Sequence, residues 1–271
     1  MVDGFIGRRE WAKAGEPAEG AVVMKEGAGR GGDWDGERVM LGKHFLRDME
    51  GLWTEVLKLA AVVEEALENS IRALCDGRAD LAEGFKRGDR AIDRREVQLE
   101  RDCLRVLALH QPVASDLRRI AAVLRINSDL ERVADLARHV AKRAKKLAAS
   151  PEPKAIPREL EAMAEAALAQ VRESLDALTQ GDADLARKVI QGDRRIDRHH
   201  RSVRKGLKDA IRADPDRLNT WLRLINTARN LERVADHATN IAESVIYLKE
   251  GDIVRHSPRT KPAPSDGPAP G

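Results

Sequence analysis

From Phe45 onward the apolar residues recur at intervals of three and four: Phe45, Met49, Trp53, Val56, Leu57, Ala60, Val63, Leu67, Ile71 and Leu74. That spacing marks one buried helix face and predicts a helix of about 30 residues, closing near Asp76-Gly77. A second helical pattern runs from about Ala79 to His110, with Leu81, Phe85, Ile92, Leu99, Cys103, Val106 and Leu107 on one side. Gln111-Pro112 breaks it, because proline removes a backbone donor and restricts the residue before it. A third pattern starts near Val113 and ends in Lys142, Arg143, Lys145 and Lys146 before Ser150-Pro151. Acid at its start (Asp116) and base at its end both suit the helix dipole. After Pro151, Pro153 and Pro157, three more patterns follow, over about Arg158 to Thr179, Ala183 to Ala213 and Asp216 to Lys249.

The second set of three repeats the first. Leu130-Glu131-Arg132-Val133-Ala134-Asp135 recurs as Leu231-Glu232-Arg233-Val234-Ala235-Asp236, 101 residues later. Upstream, Ala79-Asp80-Leu81-Ala82, Gly88-Asp89-Arg90 and Ile92-Asp93-Arg94 recur 104 residues later as Ala183-Asp184-Leu185-Ala186, Gly192-Asp193-Arg194 and Ile196-Asp197-Arg198. Three residues are lost between the two matches, at a turn, where deletions are tolerated. The expected fold is all-α: two tandem three-helix bundles over residues 40–150 and 158–250, joined by a stiff linker at 151–157. Residues 1–39 hold nine glycines and no apolar period, so a disordered leader is expected there, with Met40 as a candidate true start. The proline-rich tail, 251–271, is expected to stay unfolded.

Composition narrows the class. Charged residues make up 34% and aromatics only 3%, which suits long charged helices and not an aromatic-rich sandwich or barrel. The net charge of +3 is uneven: residues 1–39 carry 6 basic against 8 acidic residues, leaving 42 against 37 in the remainder. An excess of that size suits an acidic or peripheral membrane partner and is too small to indicate nucleic acid by itself. Cys75 and Cys103 lack CxxC or metal-ligand spacing and read as buried thiols of a reducing compartment. With no apolar run of spanning length and no signal-peptide layout, a cytoplasmic location is expected.

The repeated segments also carry the candidate chemistry. Glu131 with Asp135 and Glu232 with Asp236 stand at i and i+4, one above the other on a helix face, as do Asp89 with Asp93 and Asp193 with Asp197. Like charges at that spacing cost a helix about 0.2–0.5 kcal/mol per pair. At about 100° per residue all eight fall off or beside the apolar stripes, so a wet surface or groove is expected for them. Four carboxylates from two adjacent helices make an all-oxygen site for hard or borderline cations. His139, His237, or one of His199 and His200, would widen the choice toward iron, zinc or nickel. The plainer alternative is a solvated acidic stripe balanced by Arg90, Arg94, Arg132 and Arg138, the ordinary meaning of one such pair in a highly charged chain. Four pairs at matched places weigh toward a cation. His44, His110 and His256 are expected to be ordinary surface or helix-end residues.

Other motifs fail. Gly36 to Gly42-Lys43 has five intervening residues where a phosphate loop has four, and His44 where that loop needs Ser or Thr. No E-x-x-H of the ferritin-like kind occurs, and no nucleophile triad has recognisable context.

The stretch Gln111-Pro112-Val113-Ala114-Ser115-Asp116-Leu117-Arg118, followed by the first Leu-Glu-Arg-Val-Ala-Asp, resembles the PhoU family. So does Asn230-Leu231-Glu232-Arg233-Val234-Ala235-Asp236-His237-Ala238-Thr239-Asn240-Ile241-Ala242-Glu243, and the opening His44-Phe45 resembles the start of that family's first helix. The resemblance covers about Met40 to Ile253 and implies multinuclear metal clusters on Asp89, Asp93, Glu131 and Asp135 in one unit and on Asp193, Asp197, Glu232 and Asp236 in the other. Many relatives have Ile-Gly where this chain has Val133-Ala134 and Val234-Ala235, a departure that enlarges a close helix contact and leaves the ligands in place. The resemblance also implies a cytoplasmic negative regulator of phosphate uptake and of the phosphate-starvation response, commonly a homodimer. Its partners would be the ATPase subunit of the phosphate ABC transporter and a membrane sensor histidine kinase. The alternatives are a metal-dependent phosphoester hydrolase, with two metals about 3.5–4 Å apart, and a basic helical protein binding nucleic acid in a salt-dependent way.

Overall fold

A computed structural model describes residues 34–78, 80–81, 85–150 and 156–254, with side chains from 43 in the first helix and from 90 in the second. The described residues form six α-helices: α1 (Trp34–Cys75), α2 (Phe85–His110), α3 (Ala114–Ala148), α4 (Arg158–Gln180), α5 (Ala183–Ala213) and α6 (Leu218–Glu250). Among the described residues there is no strand, and the all-α tandem architecture is as the repeats predict. Helix α1 begins at Trp34, upstream of the expected boundary at residue 40; residues 1–33, 151–155 and 255–271 lie outside the described residues. The chain divides into two compact units, Met1–Leu41 and Gly42–Gly271, and the packing below belongs to the second.

The helix stripes become the core. Leu52, Val56, Leu59, Val63, Leu67, Ile71 and Leu74 of α1 are all buried, as are Ile92, Leu99, Cys103 and Val106 of α2. The stripes of α3 and α6, centred on Ile126, Leu130, Val133 and Ala137 and on Leu231, Val234, Ala238 and Ile241, are fully removed from solvent. Helix ends follow local chemistry. Asp182 caps α5, its carboxylate accepting from the N–H groups of Asp184 and Leu185, both at 2.9 Å, which satisfies two donors the helix leaves free. Gly181 after α4 and Gly251 after α6 take the left-handed conformation that ends a helix, with φ of 62° and 86°. Gln111 and Ala114, on either side of Pro112-Val113, also have positive φ (44° and 49°), so the α2–α3 turn stores strain that no non-glycine residue of the α5–α6 turn shares.

Within the repeats, α2 packs on α3, and α4, α5 and α6 pack on one another. Helix α1 reaches α2 through His110 and Asp48, 3.0 Å apart, and reaches α4 through Arg172, which donates to Glu64 at 2.8 Å and Glu68 at 2.7 Å. His110 is therefore not an ordinary helix-end residue: its ring is 12% exposed and lies 5.2 Å from that of Phe45. The repeats are joined by α3 against α6. Arg118 near the start of α3 stacks on Tyr247 near the end of α6, and Asp129 farther along α3 meets His237 farther back on α6, so the two helices run antiparallel.

Candidate functional site

Each repeat sets its acidic pairs between its second and third helices. In the second repeat, α5 carries Asp193 and Asp197 and α6 carries Glu232 and Asp236. Asp193 is 6% exposed, more deeply buried than the wet surface or groove expected for these carboxylates. Partial burial pushes the Asp236 carboxyl above its ordinary value, and the charges of Asp193, Glu232 and Asp197 add to that push, against the opposing effect of His237. The four predicted acids of this repeat therefore share one electrostatic neighbourhood.

The first repeat holds a similar group. Burial raises the Glu131 carboxyl, and Asp135 and Glu96 raise it further, with Arg132 opposing. Glu96 is itself raised, by burial first and then by Glu100 and Asp93. Glu131 thus neighbours Asp135 and Glu96, and Asp93 neighbours Glu96; the Asp89 side chain lies outside the described residues. Part of the countercharge comes from arginine, with Arg138 donating to Asp135 at 2.5 Å and Arg132 lying 3.4 Å from Glu131. Both pairs stay partly open to solvent, which screens them and leaves each contributing about 0–1 kcal/mol.

One site residue, Glu96, escaped the sequence reading, and the structure decides between two adjacent histidines that the sequence offered. His200 on α5 is 9% exposed, and its Nδ1 lies 2.7 Å from Glu232 Oε1. Of the two adjacent histidines it alone has a described bond to the acidic group. Glu96 occupies the equivalent place in the first repeat, at the 104-residue offset, three residues after Asp93 as His200 is three after Asp197. Asn127 Nδ2 donates to the Glu96 carbonyl at 3.0 Å and pins α2 to α3 one turn before Glu131. The offset that relates the aspartates would have found both residues.

A third cluster lies between the repeats. Asp129 Oδ1 accepts from His237 at 2.8 Å and from Asn240 Nδ2 at 3.1 Å. The 101-residue offset maps Asp129 onto Asn230, which is 7% exposed and whose Nδ2 has no hydrogen-bond partner. His237 and Asn240 thus bond across the joint between the bundles, and His237 also acts on the neighbouring Asp236 carboxyl.

Neighbouring carboxylates that raise one another would have both repulsion and desolvation relieved by a bound cation. The side chains that would hold a metal are oxygen donors in both repeats, with the His200 imidazole beside Glu232 in the second. Among the described residues no three His, Cys, Asp or Glu side chains already stand in coordinating geometry. No helix among them is long and apolar enough to cross a membrane.

A family profile described as the PhoU domain matches residues 56–144 and 160–245, one match in each repeat. The chain is 36% identical over 216 residues to the phosphate-specific transport system accessory protein PhoU homolog of Pseudomonas aeruginosa, spanning 80% of this chain and 89% of that one. It is 39% identical over 212 residues to the homolog of the same name from Aquifex aeolicus, spanning 78% of this chain and 96% of that one. The crystal structure of PhoU from Pseudomonas aeruginosa superposes with a TM-score of 0.73 at 36% identity, over 77% of this chain and all of that one. The crystal structure of the phosphate transport system regulatory protein PhoU from Streptococcus pneumoniae gives 0.69 at 28% identity, over 78% and 99%.

Proposed function

The chain belongs to the PhoU family, and from that membership we propose that it is an accessory regulator of a phosphate transport system. It acts at the inner face of the membrane as a negative regulator of phosphate uptake and of the phosphate-starvation response. Its contacts are the ATPase subunit of the phosphate ABC transporter and a sensor histidine kinase, and it works as a homodimer. Metal clusters of iron, zinc or nickel sit on the acidic pairs and serve structure or partner contact. The residues that would hold them are Asp89, Asp93, Glu131 and Asp135 in one repeat and Asp193, Asp197, Glu232 and Asp236 in the other.

The observation that carries the reading is the length of the match: relatives named as transport-system accessory proteins align across both repeats at 36% and 39% identity. The alternative of a metal-dependent phosphoester hydrolase draws no support from these relatives. The test is removal of the gene from its native cell, with phosphate uptake and a phosphate-starvation reporter measured in phosphate-replete medium. Uptake and reporter activity should rise and return to normal when the gene is restored. Unchanged values in the deletion strain would reject negative regulation.

A further inference from the structure

Helices α2 and α5 are the matched second helices of the two repeats, related by the 104-residue offset, yet their exposed faces differ in charge. Over residues 194–208, α5 holds seven basic residues against one acidic; over the matched residues 90–104, α2 holds four against four. At about 100° per residue, Arg194, Arg198, Arg201, Lys205 and Lys208 fall within about 40° of one line along α5, and Arg195 and Arg204 flank it. All seven of these basic residues are exposed. Among the described residues none of them forms an ion pair, whereas Arg187 and Arg212, nearer the two ends of the same helix, pair with Glu250 and Asp209. In α2 the same line reads Arg90, Arg94, Val97, Arg101 and Leu104, and the neighbouring Asp102 pairs with Arg105 at 3.0 Å. Like charges three and four apart weaken a helix. Helix α5 accumulates them where α2 dilutes them, so an anion covering this face would relieve a repulsion that α2 does not have.

The shape of the face selects among anions. At 1.5 Å per residue the aligned cations span about 21 Å, in a strip one side chain wide. Between Arg194 and Lys208 no exposed position holds an apolar or aromatic residue, so the strip offers neither a wedge for a bilayer nor a platform for stacked bases. On one side it borders Asp197, and across the groove Asp236 is exposed, so a bilayer or a duplex laid over α5 would meet these acids as well. A partner helix is as narrow as the strip, and carboxylates three and four apart along it repeat at the same pitch as the cations. Arg194, Arg198 and Arg201 each present a planar fork that suits paired bonds to a carboxylate. The acidic helices of a second copy are poor occupants, because Lys58 and Arg172 interrupt α1 and α4 and already pair with Glu55, Glu64 and Glu68. We propose that α5 is the docking face for an acidic helix of a different protein, whose carboxylates pair with Arg194, Arg198, Arg201, Lys205 and Lys208. The inference stands apart from the phosphate-regulatory reading, since the matched helix of the first repeat lacks the strip.

The experiment uses the full-length chain and a fluorescent, alanine-rich helical peptide of about 20 residues that carries glutamates three and four apart on one face. A second peptide of the same composition scatters those glutamates around the helix. Fluorescence anisotropy reads the binding of each. The parent should bind the striped peptide at least about tenfold more tightly than the scattered one, with affinity falling as salt rises. Reversal of three charges, Arg198→Glu with Arg201→Glu and Lys205→Glu, should lower that affinity at least about tenfold. Reversal of Arg90→Glu with Arg94→Glu and Arg101→Glu on α2 should leave it unchanged. Should the α5 reversal lose helical circular dichroism, Arg198→Gln with Arg201→Gln and Lys205→Gln decides in its place. Equal affinity for the two peptides, binding of neither, parent affinity in the α5 variant or an equal loss in the α2 variant would overturn the proposal. So would tighter binding of phosphatidylglycerol vesicles or of a DNA duplex, lost in the α5 variant, because the face would then serve a bilayer or a nucleic acid. None of these outcomes bears on the deletion-strain test of phosphate regulation.

Discussion

Asp129 on α3 and His237 on α6 meet at 2.8 Å across the junction of the two repeats, with side chains only 12% and 18% exposed. Asn240 adds a second donor to the same Asp129 oxygen, at 3.1 Å. One carboxylate thus ties together two helices that also meet through Arg118 and Arg125 on the Tyr247 ring. In a largely buried setting such a group is costly to leave half made, because each partner has given up water.

Replacing Asp129 with Ala should destabilise the chain by about 1–3 kcal/mol, since His237 and Asn240 would lose their shared acceptor. Asn240→Ala in the same background should add less than it costs alone, because both changes break one cluster. Urea denaturation of the four members of this cycle gives the coupling, and strictly additive losses would show that Asp129 and Asn240 do not act together.

Glu131, Glu96 and Asp236 all have carboxyls raised in the folded chain, in each case by burial first and by neighbouring acids second. An acid that binds its proton more tightly when folded stabilises the fold at low pH, and that contribution is lost as pH climbs from the ordinary carboxylate range through the raised folded value. In the metal-free protein, Asp236→Asn should therefore gain stability relative to the parent as pH rises toward neutrality. Denaturation of both proteins across that range measures the difference, and a difference independent of pH would contradict the crowding.

Removal of one acidic pair separates the two sites. Glu131→Ala with Asp135→Ala should empty the first and leave the second filled. Elemental analysis of protein purified without chelators reads this directly, and equal metal in variant and parent would remove Glu131 and Asp135 from the ligand set.

Gly251 ends α6 with φ of 86°, and a Cβ placed there would stand 2.5 Å from Arg118 Nη1. Gly77 has a similar φ of 67° with nothing within 4 Å of the same position. Gly77→Ala should cost about 1 kcal/mol from the backbone alone, and Gly251→Ala about 1–2 kcal/mol more through displacement of Arg118. Thermal melts of the two variants compare them. Equal losses would mean that the guanidinium moves aside freely.

Most of the architecture was legible because each helix carries an uninterrupted apolar stripe and a chemical stop. Helix α5, bounded by Asp182 and by Asp214-Pro215, lies where its periodicity puts it, from Ala183 to Ala213. Helix α1 begins at Trp34 because Asp35, Glu37 and Arg38 tolerate helix as readily as coil, and no apolar period was there to announce it. The acidic pairs were visible as repeats, but the burial of Asp193 was not, since it depends on how closely α5 and α6 approach. Glu96 was passed over because a search for matching letters skips a place where the repeats differ, and only the bond to Glu232 separates His200 from His199, its neighbour in the sequence. Asp129 was beyond local reading altogether, its partners lying 108 and 111 residues away.

The unequal joint between α3 and α6 makes the two halves of this chain non-interchangeable. A chain assembled from two copies of the first repeat would set an aspartate opposite Leu136 and His139; one assembled from two copies of the second would set Asn230 opposite His237 and Asn240. Neither restores the aspartate–histidine–asparagine set, which exists only when one half of each kind is present. Whatever duplication produced the chain, subsequent divergence at the joint has turned two similar modules into complementary ones that recognise each other and not themselves.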